Sequence, residues 1–223
     1  MNKIVYEIKR SDRKTLSITI DNKGSILVKA PRKVSFQVID NLVNSKEEWI
    51  RKKLNEISNR NELHKRKEFV SGEEFLFLGN TYLLDIRDEA NIYIDDKYIV
   101  FPKAFLDNPV QKMSSWYMKC ARKIFTNRTN EIGNMLGYSY KSVGLSSAKK
   151  RWGSCSSVGK INFTWRLVMA PQEIIDYVIV HELVHLVHHN HSKKYWQTVE
   201  RIMPDYRKRK EWLTRNQILL DLF

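Results

Sequence analysis

The sequence predicts an α+β protein, with a β-rich part containing one long helix over residues 1–105 and a second, more helical part over 106–223. Three observations carry that prediction. Apolar and polar residues alternate through 3–30 and again through 69–101, the period-2 mark of half-buried strands. The period lengthens to that of a helix over 35–60 and 109–136. A further segment, opened by Pro171, is apolar nearly all round and contains His181-Glu182-Leu183-Val184-His185.

In the first alternating region, Ile4, Tyr6 and Ile8 form one run, Leu16, Ile18 and Ile20 a second, and Ile26, Val28 and Ala30 a third. Asp21-Asn22-Lys23-Gly24 separates the last two, which predicts a hairpin with Gly24 at a positive φ. Pro31 closes this sheet, and Ser35 is suited to cap a helix carrying Phe36, Ile39, Val43, Trp49, Ile50 and Leu54 to about Arg60. Residues 60–68 are a basic polar stretch and a candidate subdomain boundary; His64 lies there with no histidine within helical reach, so it reads as solvated. Strands are predicted at 75–78, 82–84, 92–94 and 98–101, with turns at Gly72, Gly79-Asn80 and Asp95-Asp96.

From Pro109 to Leu136 a stripe of Met113, Trp116, Tyr117, Cys120, Ile124, Phe125 and Ile132 marks a helix, ended by Gly137. Cys120 sits on the stripe, as a buried inert thiol would. Segments 142–147 and 161–168 read as strands, joined by a turn-rich connection that holds Cys155. Pro171 then opens a buried helix, with Glu173 and Asp176 near its positive end. Ser192 caps the next helix, which carries Tyr195, Trp196, Val199 and Ile202. Pro204 and Asp205 break it, and a last helix carries Trp212, Leu213, Ile218, Leu219 and Leu222. Arg207-Lys208-Arg209-Lys210 reads as the solvated face of that helix.

Composition narrows the function classes. A chain of 223 residues with 42% hydrophobic and 11% aromatic residues folds, and is not disordered as a whole. Two cysteines cannot form a disulfide scaffold and suit a reducing compartment. No apolar signal region opens the chain and no run could span a membrane, so the expected setting is cytoplasmic. The net charge of +14 allows non-specific contact with nucleic acid through a basic surface, but no base-reading fingerprint accompanies it.

The sharpest signal is the HExxH sequence. On a helix, His181 and His185 share one face and can point at one ion, while Glu182 lies close enough to reach a water beside it. Two imidazoles and an adjacent carboxylate are two ligands and the general base of a Zn²⁺ hydrolase. His188 and His191 compete for a third ligand position. His188 lies further along the same straight helix, and three ligands strung on one line cannot surround a tetrahedral ion. A left-handed turn at Asn190 would fold His191 back toward the ion, so geometry favours His191. A carboxylate from elsewhere is the remaining option for that place. His189 reads as a neighbour on Glu182's side or as solvated.

Several short stretches carry a resemblance: Arg151-Trp152-Gly153-Ser154-Cys155-Ser156, Asn162-Phe163-Thr164-Trp165-Arg166-Leu167, Asp176-Tyr177-Val178, Asn190-His191-Ser192, Tyr195-Trp196 and Pro204-Asp205-Tyr206. With the pattern from Arg10 to Pro31 and Trp49-Ile50, they resemble the YgjP-like metallopeptidase family over nearly the whole chain. That family is related to SprT- and WLM-type zinc proteases, some of which digest proteins crosslinked to DNA. The resemblance implies a zincin-like catalytic domain over 106–223, its HExxH helix packed on a small antiparallel sheet. It also implies His181, His185 and His191 as metal ligands and Glu182 as base. The chain departs from the wider HExxHxxGxxH pattern in having His188 where that pattern has glycine.

The expected function is therefore peptide-bond hydrolysis, with zinc as cofactor and a peptide or protein as substrate. Strand 161–168 would accept a substrate peptide if it lies at a sheet edge, and would be an ordinary core strand otherwise. Trp165, Arg166 and Tyr206 are the candidate substrate contacts. Two alternatives stand beside this reading. One is a metal-dependent nucleotide pyrophosphatase of the UTP type, which the lack of a GxxxxGK[ST] loop disfavours. The other is a non-catalytic zinc-stabilised DNA-binding module, which would have four protein ligands and no use for Glu182.

Overall fold

The structure is a computed structural model that describes residues 4–21, 24–63, 67–217 and 219. It forms two compact units, 1–65 and 66–223, each with its own apolar core. No helix among the described residues is long and apolar enough to cross a membrane.

In the first unit, β1 (Glu7–Ser11), β2 (Ser17–Ile20) and β3 (Ile26–Pro31) form a sheet in the order β1-β3-β2. β2 and β3 are the predicted antiparallel hairpin, and Gly24 takes φ 86°. β1 joins β3 in parallel. Ile26, Val28 and Ala30 alternate onto the buried face of β3 and share a core with Ile39, Val43 and Ile50. The single long helix expected over 35–60 is two helices, α1 (Phe36–Ser45) and α2 (Glu47–Leu63), separated at Lys46. The Ser35 hydroxyl caps α1 by accepting from the Val38 N–H at 3.4 Å. His64 lies outside the described residues.

The second unit begins with β4 (Glu74–Phe77), β5 (Asn80–Arg87), β6 (Tyr93–Asp95) and β7 (Tyr98–Pro102), in the sheet order β4-β5-β7-β6. The division between units thus falls at 65/66 and not at 105. Packing explains the difference. Phe75, Phe77, Leu84, Ile99 and Phe101 of this sheet share one core with Met113, Tyr117 and Phe125 of α3 (Pro109–Leu136). Tyr117 donates its hydroxyl to the Leu76 carbonyl at 2.7 Å. The β4–β5 turn also docks on the segment just before the HExxH helix, where the N–H groups of Leu78 and Gly79 donate to the carbonyls of Val168 and Met169 at 2.8 and 3.1 Å. Gly79 has φ 80°, and a Cβ there would lie 2.8 Å from Pro171. Strand periodicity alone carries no information about which core a strand joins.

α3 spans the predicted residues and ends at Gly137, in the left-handed conformation at φ 71°. A three-stranded sheet follows: β8 (Ser142–Ser146), β9 (Gly153–Cys155) and β10 (Lys160–Thr164), in the order β8-β10-β9. It is mixed and not purely antiparallel, since β10 runs parallel to β8 and antiparallel to β9. The expected strand 161–168 stops at Thr164, and Trp165–Met169 winds into a short 3-10 helix. α4 (Gln172–Val184) then crosses the unit with nine buried residues. Each large apolar side chain so buried contributes roughly 1.5–3 kcal/mol, which holds α4 firmly in place. Arg128 of α3 grips Asp176 through two hydrogen bonds of 2.7 and 2.8 Å. α5 (Lys193–Ile202) and α6 (Tyr206–Arg215) complete the described helices. Leu219 joins the core, whereas Ile218 and Leu222 lie outside the described residues.

Candidate metal centre

The HExxH residues sit at the C-terminal end of α4, where the helix opens into a cleft of about 1090 Å³. α4 supplies the floor of the cleft through Tyr177, Val178, His181 and Glu182. Arg151 to Cys155 form one wall, and Lys210, Leu213 and Thr214 of α6 contribute to another.

The chain leaves the helix immediately after the motif. The N–H groups of Leu186 and Val187 bond three residues back, to the carbonyls of Leu183 and Val184, which tightens the last turn. This carries His188 away from the motif. Its Nε2 lies 3.3 Å from the Thr198 hydroxyl, and its carbonyl oxygen lies 2.9 Å from His185 Nδ1. His191 comes back instead. The return does not use a left-handed Asn190, which is not among the positive-φ residues. The Asn190 side-chain oxygen accepts from the Ser192 N–H at 3.2 Å, and this side-chain-closed turn reverses the chain. Ser192 then caps α5 by accepting from the Tyr195 N–H at 3.4 Å.

Three imidazole nitrogens converge as a result. His191 Nε2 lies 3.1 Å from His181 Nε2 and 3.1 Å from His185 Nε2. Among the described residues, these three are the one group of histidine, cysteine or carboxylate side chains placed to share an ion. The contacts make poor hydrogen bonds. His185 Nδ1 faces a carbonyl and must carry the proton there, which leaves its Nε2 as a lone pair in the neutral ring. One proton on His191 Nε2 cannot serve both neighbours. Lone pairs facing one another repel unless a cation sits among them. Ligands 2.0–2.1 Å from a tetrahedral ion lie about 3.3 Å apart, close to the separations found here. The donor set therefore fits a divalent metal.

The surroundings favour that use. Burial pushes the His181 pKa down to about 3, aided by the charges of His185, His191 and Lys210. His191 is lowered too, by burial, His185 and Lys210. Both rings are thus neutral, as ligands must be. Tyr195 donates its hydroxyl to the His181 carbonyl at 3.0 Å and stacks on His185. Trp196 stacks on His191, with ring centres 5.5 Å apart.

Glu182 is 4% exposed, and its carboxyl lies against β9. A Cβ at Gly153 would come within 2.5 Å of Glu182 Oε1 and 2.8 Å of its Cγ, so the space beside Gly153 is the seat of this carboxyl. Burial pushes the Glu182 pKa up to about 8, against the opposing charge of Arg151. Cys155 lines the same wall but does not join the histidine group.

The candidate substrate contacts fall elsewhere. Trp165 and Arg166 are buried in the 3-10 helix and do not line the cleft. The Trp165 ring stacks on Tyr117, and the Arg166 guanidinium lies over Trp165 and reaches the Ser147 carbonyl. Their segment turned inward because it left the sheet at Thr164. Tyr206 is also buried and does not line the cleft; its ring stacks on Trp196, and its oxygen accepts from Arg207. Nor is β10 an edge strand, for it lies between β8 and β9. The strand beside the cleft is β9, which sequence periodicity missed because three residues, Gly-Ser-Cys, show no apolar alternation. Tyr177 and Lys210 were missed as well. Tyr177 looks like one more apolar residue of a buried helix, and Lys210 like one of four consecutive surface cations.

No curated protein matches this chain. Two solved structures are similar to part of it. The metallopeptidase zymogen of Pyrococcus abyssi abylysin is 23% identical, with a TM-score of 0.38, over 42% of this chain and 95% of that one. The metallopeptidase zymogen of Methanocaldococcus jannaschii jannalysin is 19% identical, with a TM-score of 0.36, over 41% of this chain and 95% of that one. Likenesses this distant add nothing to the site. The family described as YgjP-like, metallopeptidase domain, matches residues 14–216. That span takes in most of the first unit and nearly all of the second, and the chain belongs to the YgjP-like metallopeptidase domain family.

Proposed function

We propose that the protein is a zinc-dependent peptidase in which His181, His185 and His191 hold the metal and Glu182 is the general base. The observation that carries this reading is the convergence of three Nε2 atoms in an open cleft beside a buried carboxyl. A bound zinc ion supplies Lewis acidity, which polarises the scissile carbonyl and makes water acidic enough to lose a proton near neutral pH. Glu182 takes that proton as water attacks and delivers it to the departing amine, so one carboxyl serves as base and then as acid. Its burial strengthens it as a base, and Gly153 gives it room. The His188 carbonyl orients the ring of His185, while Tyr195 bonds the main-chain carbonyl of His181 and sets its ring edge-on against that imidazole.

β9 ends its sheet and lines this cleft, so an extended peptide can add to it there. In the β9–β10 pair, the bonds from the Ser156 N–H to the Lys160 carbonyl and from the Thr164 N–H to the Trp152 carbonyl set the alternation. Gly153 and Cys155 then turn their backbone groups away from β10, free to pair with an extended substrate. The test is hydrolysis of unfolded casein and of UTP by zinc-loaded protein, each with and without chelator. Chelator-sensitive cleavage of casein is expected. Hydrolysis of UTP alone would replace this reading with a nucleotide pyrophosphatase.

A further inference from the structure

We propose that Lys210 is a recognition residue for a substrate carboxylate, so that the cleft selects peptides bringing a negative charge to its α6 wall. The proposal rests on the peptidase reading and names the substrate class of that same site. Lys210 lines the cleft, with its Nζ 4.3 Å from the centre of the Trp196 ring. Trp196 in turn stacks on His191. The ammonium is therefore held one ring away from a metal ligand by a cation–π contact.

That position is costly for metal binding. With only the Trp196 ring between it and His191, the ammonium would repel a divalent ion held there. No carboxylate of the protein offsets it among the described residues. The acids of the same region are engaged elsewhere: Glu200 with Arg207, Asp205 with Arg209, and Glu211 with Arg215. Among the described residues Glu182 is the one acid that lines the cleft, and it is buried on the floor. The opposite wall adds Arg151, which has no ion-pair partner among the described residues. An anionic substrate supplies what the cleft lacks, and a carboxylate is the anion that peptides carry. Its source is either an acidic side chain or a free C-terminus.

Two matched peptide pairs separate those sources: one with Glu or Gln near the cleaved bond, the other with a free acid or an amide at the C-terminus. Zinc-loaded protein should cleave one acidic member with a kcat/KM roughly tenfold above its neutral match. The pair showing the preference identifies the source. Lys210→Met should bring that ratio close to one, Lys210→Arg should restore most of it, and added salt should weaken it. Equal rates within both pairs, or a preference that survives Lys210→Met, overturns the proposal.

A second readout keeps it separate from the peptidase reading. Zinc-loaded Glu182→Gln should bind the favoured acidic peptide more tightly than its neutral match in calorimetry, and should lose that difference when Lys210→Met is added. If nothing is cleaved but this difference is found, the peptidase reading fails and the carboxylate site stands. If cleavage occurs with no difference in rate or binding, the peptidase reading stands and the carboxylate site falls. Tight binding of UTP with no binding of any peptide overturns both.

Discussion

The floor and the walls of the cleft are built on opposite principles. The floor is α4, nine of whose thirteen residues are buried, so its candidate groups stand on a helix that cannot easily move. The walls are a three-residue strand and one face of a short, highly charged helix, with Arg151 and Lys210 exposed to solvent. Burial gives the floor perturbed, precisely aimed groups: a neutral His181 and a Glu182 that holds its proton tightly. The walls offer the outward-facing backbone of Gly153 and Cys155 and two exposed cations with no ion-pair partner among the described residues. On the proposed reading, the floor sets reactivity and the walls set selection.

Substitutions can break that division. The largest effect is expected at the turn that completes the floor. His191→Ala removes a converging nitrogen and should lower zinc affinity more than about 100-fold. His188→Ala should cost roughly tenfold or less, because the group that supports His185 is the main-chain carbonyl, which the substitution leaves in place. Competition with a chromophoric chelator measures both, and the reverse order would show that the third ligand is His188.

Gly153 is where wall meets floor. Gly153→Ala should displace the Glu182 carboxyl and lower kcat by about 100-fold, with zinc still bound. Gly144→Ala is the control from the same sheet, since a Cβ there would strike the Asn162 side chain and not the site. It should cost roughly 1–3 kcal/mol of stability in urea melts but leave kcat per folded molecule unchanged. Equal loss of kcat in both would mean that Gly153 matters only for folding.

The smallest effect tests the electrostatics of the floor in the metal-free protein. Glu182 has a folded pKa of about 8 against an ordinary 4.5, so the folded state binds the extra proton between those values. Stability from this group falls as pH rises through that window. His181 has a folded pKa of about 3 against 6.5, so its contribution rises with pH between those values. The two oppose each other from about 4.5 to 6.5, and Glu182 acts alone above that. Metal-free protein should lose about 2 kcal/mol between pH 6.5 and 8, and Glu182→Gln should abolish the loss. An unchanged slope in the variant would place the titrating group elsewhere.

The same contrast decided what could be read from the sequence. The floor was legible because HExxH spacing and an all-round apolar helix are local patterns, and local patterns survive without the fold. The placement of His191 was legible from the inability of one straight helix to surround an ion, although the turn itself is closed by the Asn190 side chain and not by a left-handed backbone. The walls were not legible. β9 is too short for a period, and Lys210 is distinguished from Arg207, Lys208 and Arg209 only by which way α6 faces. The unit boundary was half legible: the basic polar stretch 60–68 marks a break, but not that strands 69–101 join the later core, because the β4–β5 turn reaches a segment some 90 residues further on. Trp165 and Arg166 stand on the predicted strand 161–168, but the end of β10 at Thr164 turns them into the core.

The most direct test of the account is to measure zinc content and casein hydrolysis together in Glu182→Gln. The account predicts one zinc per chain, as in the unsubstituted protein, with turnover reduced by about 10²–10⁴-fold. Full zinc occupancy with unchanged turnover would contradict it, since Glu182 would then have no part in the chemistry.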